Sequence, residues 1–250
     1  MKNGKKIVAT IEARMTSTRL PGKVLMPLAG ATVLERLIER LRRSKYVDEV
    51  VVATTTNAPD DAIVELCERL KCSYYRGSES DVLLRVLETA QKYKADIIVE
   101  TCGDSPLIDH RHIDALLDMY FDGDYDYVSN SLEPTFSIGF DVKIFSTEAL
   151  ARVEKISNDP YVRDNVSPYF YQHPELYKLG QLPAEARMRR RDIRLTLDYK
   201  EDYELINTVF EKLLPQNPDF SAEDVIVLFE KEPSLADNNK NVGSRPPLQT

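Results

Sequence analysis

The sequence predicts an α/β protein of three layers, a mostly parallel β-sheet covered by helices on both faces. Three observations carry this expectation. In the first half, short apolar runs alternate with segments of helical periodicity, the connections between them are short, and no internal repeat breaks the order. Repeated βαβ units of this kind build a parallel sheet through right-handed crossovers.

The elements follow in order. Residues 6–11 (KIVATI) form a buried strand behind an exposed basic lead-in. That lead-in is not read as a signal peptide, because Glu12 and Arg14 interrupt the apolar stretch and no small-residue cleavage site follows. Thr32 caps a helix over 33–43, with Val33, Leu34, Leu37, Ile38 and Leu41 along one stripe. A second strand occupies 49–54, and Asp60 or Asp61 starts a helix through Leu70. A short strand at 73–76 precedes a helix over 81–93. A fourth strand, 96–101 (DIIVET), precedes a helix from Asp109 to Phe121.

Beyond this point the pattern loosens. Strands at 125–129 and 139–145 flank a projecting, turn-rich insertion (SLEPTFSI), and helices are expected near 147–153 and 161–171. Further strands are expected at 176–182 and 193–197, then helices over 201–214 and from the Ser221 cap to about Glu230. Residues 1–232 read as one domain, and the polar stretch 233–250 reads as a flexible tail.

Composition narrows the class. With 250 residues, 42% of them hydrophobic and 30% charged, the chain fits a soluble globular protein, and no apolar run is long enough to span a bilayer. A net charge of −8 argues against nucleic acid as the main partner. The arginine-rich stretch 186–194 is a local exception, read as a solvated surface or a contact to ligand phosphate. Three cysteines, Cys67, Cys72 and Cys102, lack metal-ligand spacing and favour a reducing, cytoplasmic compartment.

The chemistry concentrates after the first strand, in RMTSTRLPGK (14–23). Ligands of open parallel sheets bind at strand carboxyl ends, where this loop lies. Arg14, Arg19 and Lys23 supply cations, while Thr16, Ser17 and Thr18 supply hydroxyls. Pro21-Gly22 forces a turn, and glycine lets backbone amides approach an anion closely. Neither the P-loop pattern nor the dinucleotide G-x-G-x-x-G pattern is present.

R-x-x-S-x-R-L-P-G-K after a first strand resembles the signature of the cytidylyltransferases that make CMP-activated sugar acids. The likeness is strongest to the SpsF-like polysaccharide branch and extends to about Leu214. It includes GSESDVLLRV (77–86), GDSPLID (103–109), YVRDNVSPYFY (161–171) and RLTLDYKEDYELI (194–206). The resemblance implies a Rossmann-like, GT-A-like nucleotidyltransferase fold. It also implies a magnesium-dependent, CTP-using enzyme of surface polysaccharide or capsule synthesis that forms a homodimer through projecting strands. Relatives usually carry proline or glutamine at the position of Glu12, which leaves the base, CTP or GTP, open.

Residue by residue, the resemblance puts Arg14, Lys23 and Asp104 in catalysis and Mg2+ on Asp104 and Asp198. The nucleotide is expected at Ala13, Arg14, Ser17, Arg19, Gly22, Lys23, Gly77, Ser78, Asp81 and Arg85. The acceptor, a sugar acid or a phosphorylated small molecule, is expected at Tyr161, Arg163 and Asn165. Read from the residues alone, Asp198 is equally an N-cap, Arg85 a partner of Glu88, and Arg163 half of a surface ion pair.

Two other readings remain. Asp124 and Asp126 form the D-x-D of many glycosyltransferases, although so short a motif recurs by chance in an acidic chain. A nucleotide-binding module without catalysis is the third. His110 and His112 lack a third ligand for zinc, and His173 reads as a loop residue.

Overall fold

A computed structural model describes residues 1–242. It contains the strands and helices β1 (Ile7–Glu12), β2 (Pro27–Leu28), β3 (Ala31–Thr32), α1 (Val33–Leu41), β4 (Glu49–Thr55), α2 (Asp61–Arg69), β5 (Ser73–Gly77), α3 (Val82–Lys92) and β6 (Ile97–Cys102). These are followed by α4 (His110–Asp122), β7 (Tyr127–Ser129), β8 (Lys143–Ser146), α5 (Thr147–Ile156), α6 (Pro160–Asn165), α7 (Pro168–Gln172), β9 (Leu179–Gln181), α8 (Lys200–Leu213) and α9 (Ala222–Lys231). Seven strands form one sheet in the order β5-β4-β1-β6-β8-β7-β9. The first four of that order run parallel, β8 is antiparallel to both β6 and β7, and β9 is parallel to β7.

The strands alternate between two buried faces. Ile7, Ala9 and Ile11 of β1, with Val50 and Val52 of β4, pack on Leu34, Leu37 and Leu116 of the helices on one side. Val8, Val51 and Ile98 pack on Leu83, Val86 and Leu150 on the other. Both faces being covered explains why these strands read as continuous apolar runs. A third cluster joins α8 and α9 to Phe136 and Phe140.

The helix starts follow their caps. Thr32 accepts from the Glu35 amide, Asp81 from Leu84 and Ser221 from Asp224. Three expected elements differ. The helix expected over 161–171 is two short helices, because the backbone breaks at Val166, whose φ of +67° is not helical. The strand expected at 139–145 begins only at Lys143. Gly139 has φ +108°, and a Cβ there would lie 2.5 Å from the Leu195 carbonyl. Residues 193–197 form no strand and make a single isolated bridge, Arg194 to Ile138.

The chain also stays packed beyond residue 232. Residues 233–237 form a 3-10 turn that buries Leu235, and Asn239 donates to Asp202 at 2.7 Å. Residues 233–239 are therefore packed on the domain and not a free tail, and 243–250 lie outside the described residues. Among the described residues, no helix is long and apolar enough to cross a membrane.

Candidate active site

The loop after β1 is fixed from beneath. Asp60, fully buried at the start of α2, accepts from the Met15 amide at 2.7 Å and from Thr54 Oγ1 at 3.1 Å. Gly22 closes the turn, with φ +74° and its amide 2.9 Å from the Met15 carbonyl. Gly103, after β6, lies so close to β1 that a Cβ would come within 2.9 Å of the Glu12 carbonyl oxygen. These contacts bring the carboxyl ends of β1 and β6 together above a cleft of about 420 Å³.

At one end of the cleft, opposite charges converge. Lys23 Nζ donates to Asp104 Oδ2 at 2.8 Å, to Asp198 Oδ1 at 3.0 Å and to the Leu197 carbonyl at 2.7 Å. Arg19 reaches Asp198 Oδ1 at 2.6 Å, and Arg194 reaches its Oδ2 at 2.7 Å. Burial works against the charge on Lys23, but Asp104 and Asp198 outweigh it and hold the ammonium above the ordinary lysine value. Burial likewise opposes ionisation of Asp198; Lys23, Arg19 and Arg194 reverse the balance and hold its carboxyl low.

Asp198 is held by the backbone rather than acting as a cap. The Leu197 amide donates to the Asp104 carbonyl at 2.8 Å, tying residues 193–197 to the end of β6. Asp202, fully buried, accepts from the Asp198 and Tyr199 amides at 3.0 Å and from Arg194 Nε at 3.2 Å.

The middle and floor of the cleft are polar. Thr10, Glu100 and Lys143 are cross-strand neighbours on β1, β6 and β8, and Glu12 and Cys102 form the next row outward. Glu100 Oε1 pairs with Lys143 Nζ at 2.6 Å, while Glu100 Oε2 has no partner among the described residues. Burial, reinforced by the neighbouring Glu100 carboxylate, pushes the Glu12 carboxyl up to about 8. Ser167 Oγ, also buried in this wall, is likewise without a partner.

Asn165 and Ser167 reach the cleft from either side of a strained turn. Val166 has φ +67° and ψ −65°, and the Ser167 amide donates to the Asn165 carbonyl at 2.8 Å. This is a γ-turn of the rare, strained hand, on a β-branched residue that seldom adopts positive φ.

The cleft thus gathers Ala13, Arg14, Ser17, Arg19, Lys23, Arg85, Asp104, Tyr161 and Asn165 from the sequence-derived set, with Asp198 joined through Lys23. Others lie off it. Arg163 pairs with Asp81 and donates to the Glu154 carbonyl at 3.1 Å, so it braces α6 against α3 instead of lining the cleft. Gly77, Ser78 and Asp81 form the turn beneath Arg85; Asp81 caps α3 and the Ser78 carbonyl accepts from Arg85. Arg85 does not pair with Glu88, which accepts from Tyr75. Asp124 pairs with Lys178, and Asp126 accepts from the Lys178 amide at 2.9 Å, outside the cleft.

Sequence reading missed Glu100, Lys143, Ser167 and Arg194 as cleft or site-supporting residues. The signal for Glu100 was present, since a carboxylate inside the apolar run DIIVET needs a partner or a task.

Comparison with known proteins decides the family. The family description "Cytidylyltransferase" matches residues 8–234. A spore coat polysaccharide biosynthesis protein, SpsF of Bacillus subtilis, is 34% identical over 92% of this chain and 96% of its own. The chain belongs to the cytidylyltransferase family. An uncharacterised protein of Methanocaldococcus jannaschii is 36% identical over 95% of this chain and 96% of its own. A solved cytidylyltransferase from Leptospira borgpetersenii superposes with a TM-score of 0.88 at 34% identity, covering 97% of this chain and 100% of that one. A CMP:2-keto-3-deoxy-manno-octonic acid synthetase solved with CTP shares the fold, with a TM-score of 0.64 at 18% identity over 84% of this chain and 100% of that one. The cytidylyltransferase described here is therefore a nucleotidyltransferase, and its Rossmann-like sheet carries the loop and Asp104 at strand carboxyl ends, with Asp198 brought beside them by Lys23.

Proposed function

We propose that this cytidylyltransferase transfers the cytidylyl group of CTP to a small acceptor and releases pyrophosphate. The observation carrying the reading is the convergence of Lys23, Arg19, Asp104 and Asp198 beside the loop 14–23. A triphosphate threaded along that loop meets three cations, the Ser17 hydroxyl and the amides around Gly22. Lys23 then exchanges carboxylate partners for phosphate oxygens.

Asp104 and Asp198 fit a magnesium ion, since they present all-oxygen donors and already converge on one cation, the Lys23 ammonium. Bound there, the metal would neutralise phosphate charge during in-line attack. In that attack the acceptor oxygen bonds to the α-phosphorus as the bond to the β-phosphate oxygen breaks. Arg14, Arg19 and Lys23 balance the charge that develops on the departing pyrophosphate, so catalysis rests on positioning and electrostatics.

The Bacillus subtilis relative supports a product destined for surface polysaccharide. A homodimer through the segment between β7 and β8, which exposes Ile138, is part of the proposal. The test is a pyrophosphate-release screen crossing CTP, GTP, UTP and ATP with sugar acids, sugar phosphates and other phosphorylated metabolites. CTP should dominate. Turnover with another nucleotide alone, or persistence of turnover in Lys23→Ala and Asp104→Ala, overturns the reading.

A further inference from the structure

Beyond the triphosphate end, the cleft contains polar groups that the proposed transfer leaves unused. Glu100 is 1% exposed, lies in the middle of a buried sheet, and directs one carboxylate oxygen at no partner among the described residues. In the same cleft Ser167, also 1% exposed, holds a hydroxyl without a partner among the described residues. An unpartnered buried acceptor is costly unless something else supplies a donor. Both residues belong to the wall of one cleft, one of them delivered by a strained γ-turn, and two polar atoms held in that wall without a partner describe a site that a ligand completes.

We infer that Glu100, Lys143, Glu12 and Ser167 form the acceptor subsite, and that it takes the neutral, hydroxyl-bearing ring of a sugar rather than a sugar carboxylate. The charges select this class. Lys143 is committed to Glu100 at 2.6 Å, and Arg163 is turned away to Asp81 and Glu154, so neither offers a free cation to a carboxylate. Glu12 adds a second carboxyl to the same wall, kept protonated at neutral pH by its surroundings. A sugar acid placed here sets its carboxylate against Glu100. A ring hydroxyl instead donates to Glu100 Oε2, and a neighbouring one pairs with Ser167. A site built to bond a substrate hydroxyl strongly rejects analogues that lack it.

This inference rests on cytidylyl transfer as the activity. The neutral ring can belong to a free sugar, whose hydroxyl attacks the α-phosphorus and gives up its proton to solvent. It can equally belong to a sugar phosphate, whose phosphate oxygen attacks.

The experiment measures CTP binding by calorimetry, then kcat and KM with matched free sugars, sugar 1-phosphates and ulosonic acids. It compares the wild type with Glu100→Gln and with Ser167→Ala, which disturbs no ion pair. The expected result is turnover favouring neutral-ring acceptors by roughly a hundredfold in kcat/KM. Each variant should raise acceptor KM about tenfold while CTP affinity stays within about twofold of the wild type. Preference between the free-sugar and sugar-phosphate arms identifies the nucleophile. Preference for the ulosonic acids, unchanged acceptor KM in Ser167→Ala, or CTP binding with no turnover of any neutral-ring acceptor overturns the inference. Absence of CTP binding removes the cytidylyltransferase reading itself, and the inference with it.

Discussion

Lys23 Nζ lies 2.8 Å from Asp104 Oδ2, joining the end of the β1 loop to the residue just past β6. The same ammonium holds Asp198, so three chain segments far apart in sequence meet on one nitrogen. A lysine between two carboxylates holds both in position.

Removing either member of that pair should abolish most turnover without unfolding the chain. Lys23→Ala and Asp104→Ala are each expected to lower kcat by about 10²–10³, as loss of a positioned electrostatic contact does. Asp198 retains Arg19 and Arg194 in Lys23→Ala, which spares the local structure. Steady-state kinetics beside a circular-dichroism melt checks both halves.

Asp202 supports the site from behind. It accepts from two backbone amides, from Arg194 and from Asn239, and is fully buried. Asp202→Ala leaves those donors unpaired and should cost about 3–5 kcal/mol. Denaturant unfolding of the variant measures this directly, and an unchanged midpoint would show the network to be unimportant.

How much of this was legible in the sequence depends on distance along the chain. The loop 14–23 announced itself because its cations, hydroxyls and Pro-Gly turn are consecutive, and helix starts were visible in Thr32, Asp81 and Ser221. The break at 166–168 was missed, since a single helix was expected over 161–171. The floor of the cleft was not legible, because Glu100 meets Lys143 only through an antiparallel β6–β8 pairing that no local pattern specifies. Arg163 misled for the same reason, since its partner Asp81 is 82 residues away.

Glu12 makes stability depend on pH. Burial and Glu100 raise its carboxyl from the ordinary range to about 8, so the folded chain holds a proton that the unfolded chain has lost. Stability therefore falls as pH rises from about 4.5 to about 8, then levels off. Glu12→Gln, neutral throughout, should gain on the wild type across that window by up to a few kcal/mol. Paired unfolding curves at the two ends of the window test the sign; a constant difference contradicts it.

Gly103→Ala tests the close approach of β6 to β1. Its Cβ would meet backbone, the Glu12 carbonyl at 2.9 Å, and side chains of Val24 and Ala13. The strand ends must part, which should cost about 1–3 kcal/mol and weaken CTP binding. Thermal melts with and without CTP report both effects.

The most direct test of the central claim follows the phosphorus atoms of CTP. With CTP labelled at the α-phosphorus, the account predicts that label moves to the acceptor in step with release of unlabelled pyrophosphate. Both signals should be lost together in Lys23→Ala. Label retained in free nucleotide while an acceptor is modified, or transfer of the γ-phosphate instead, would contradict it.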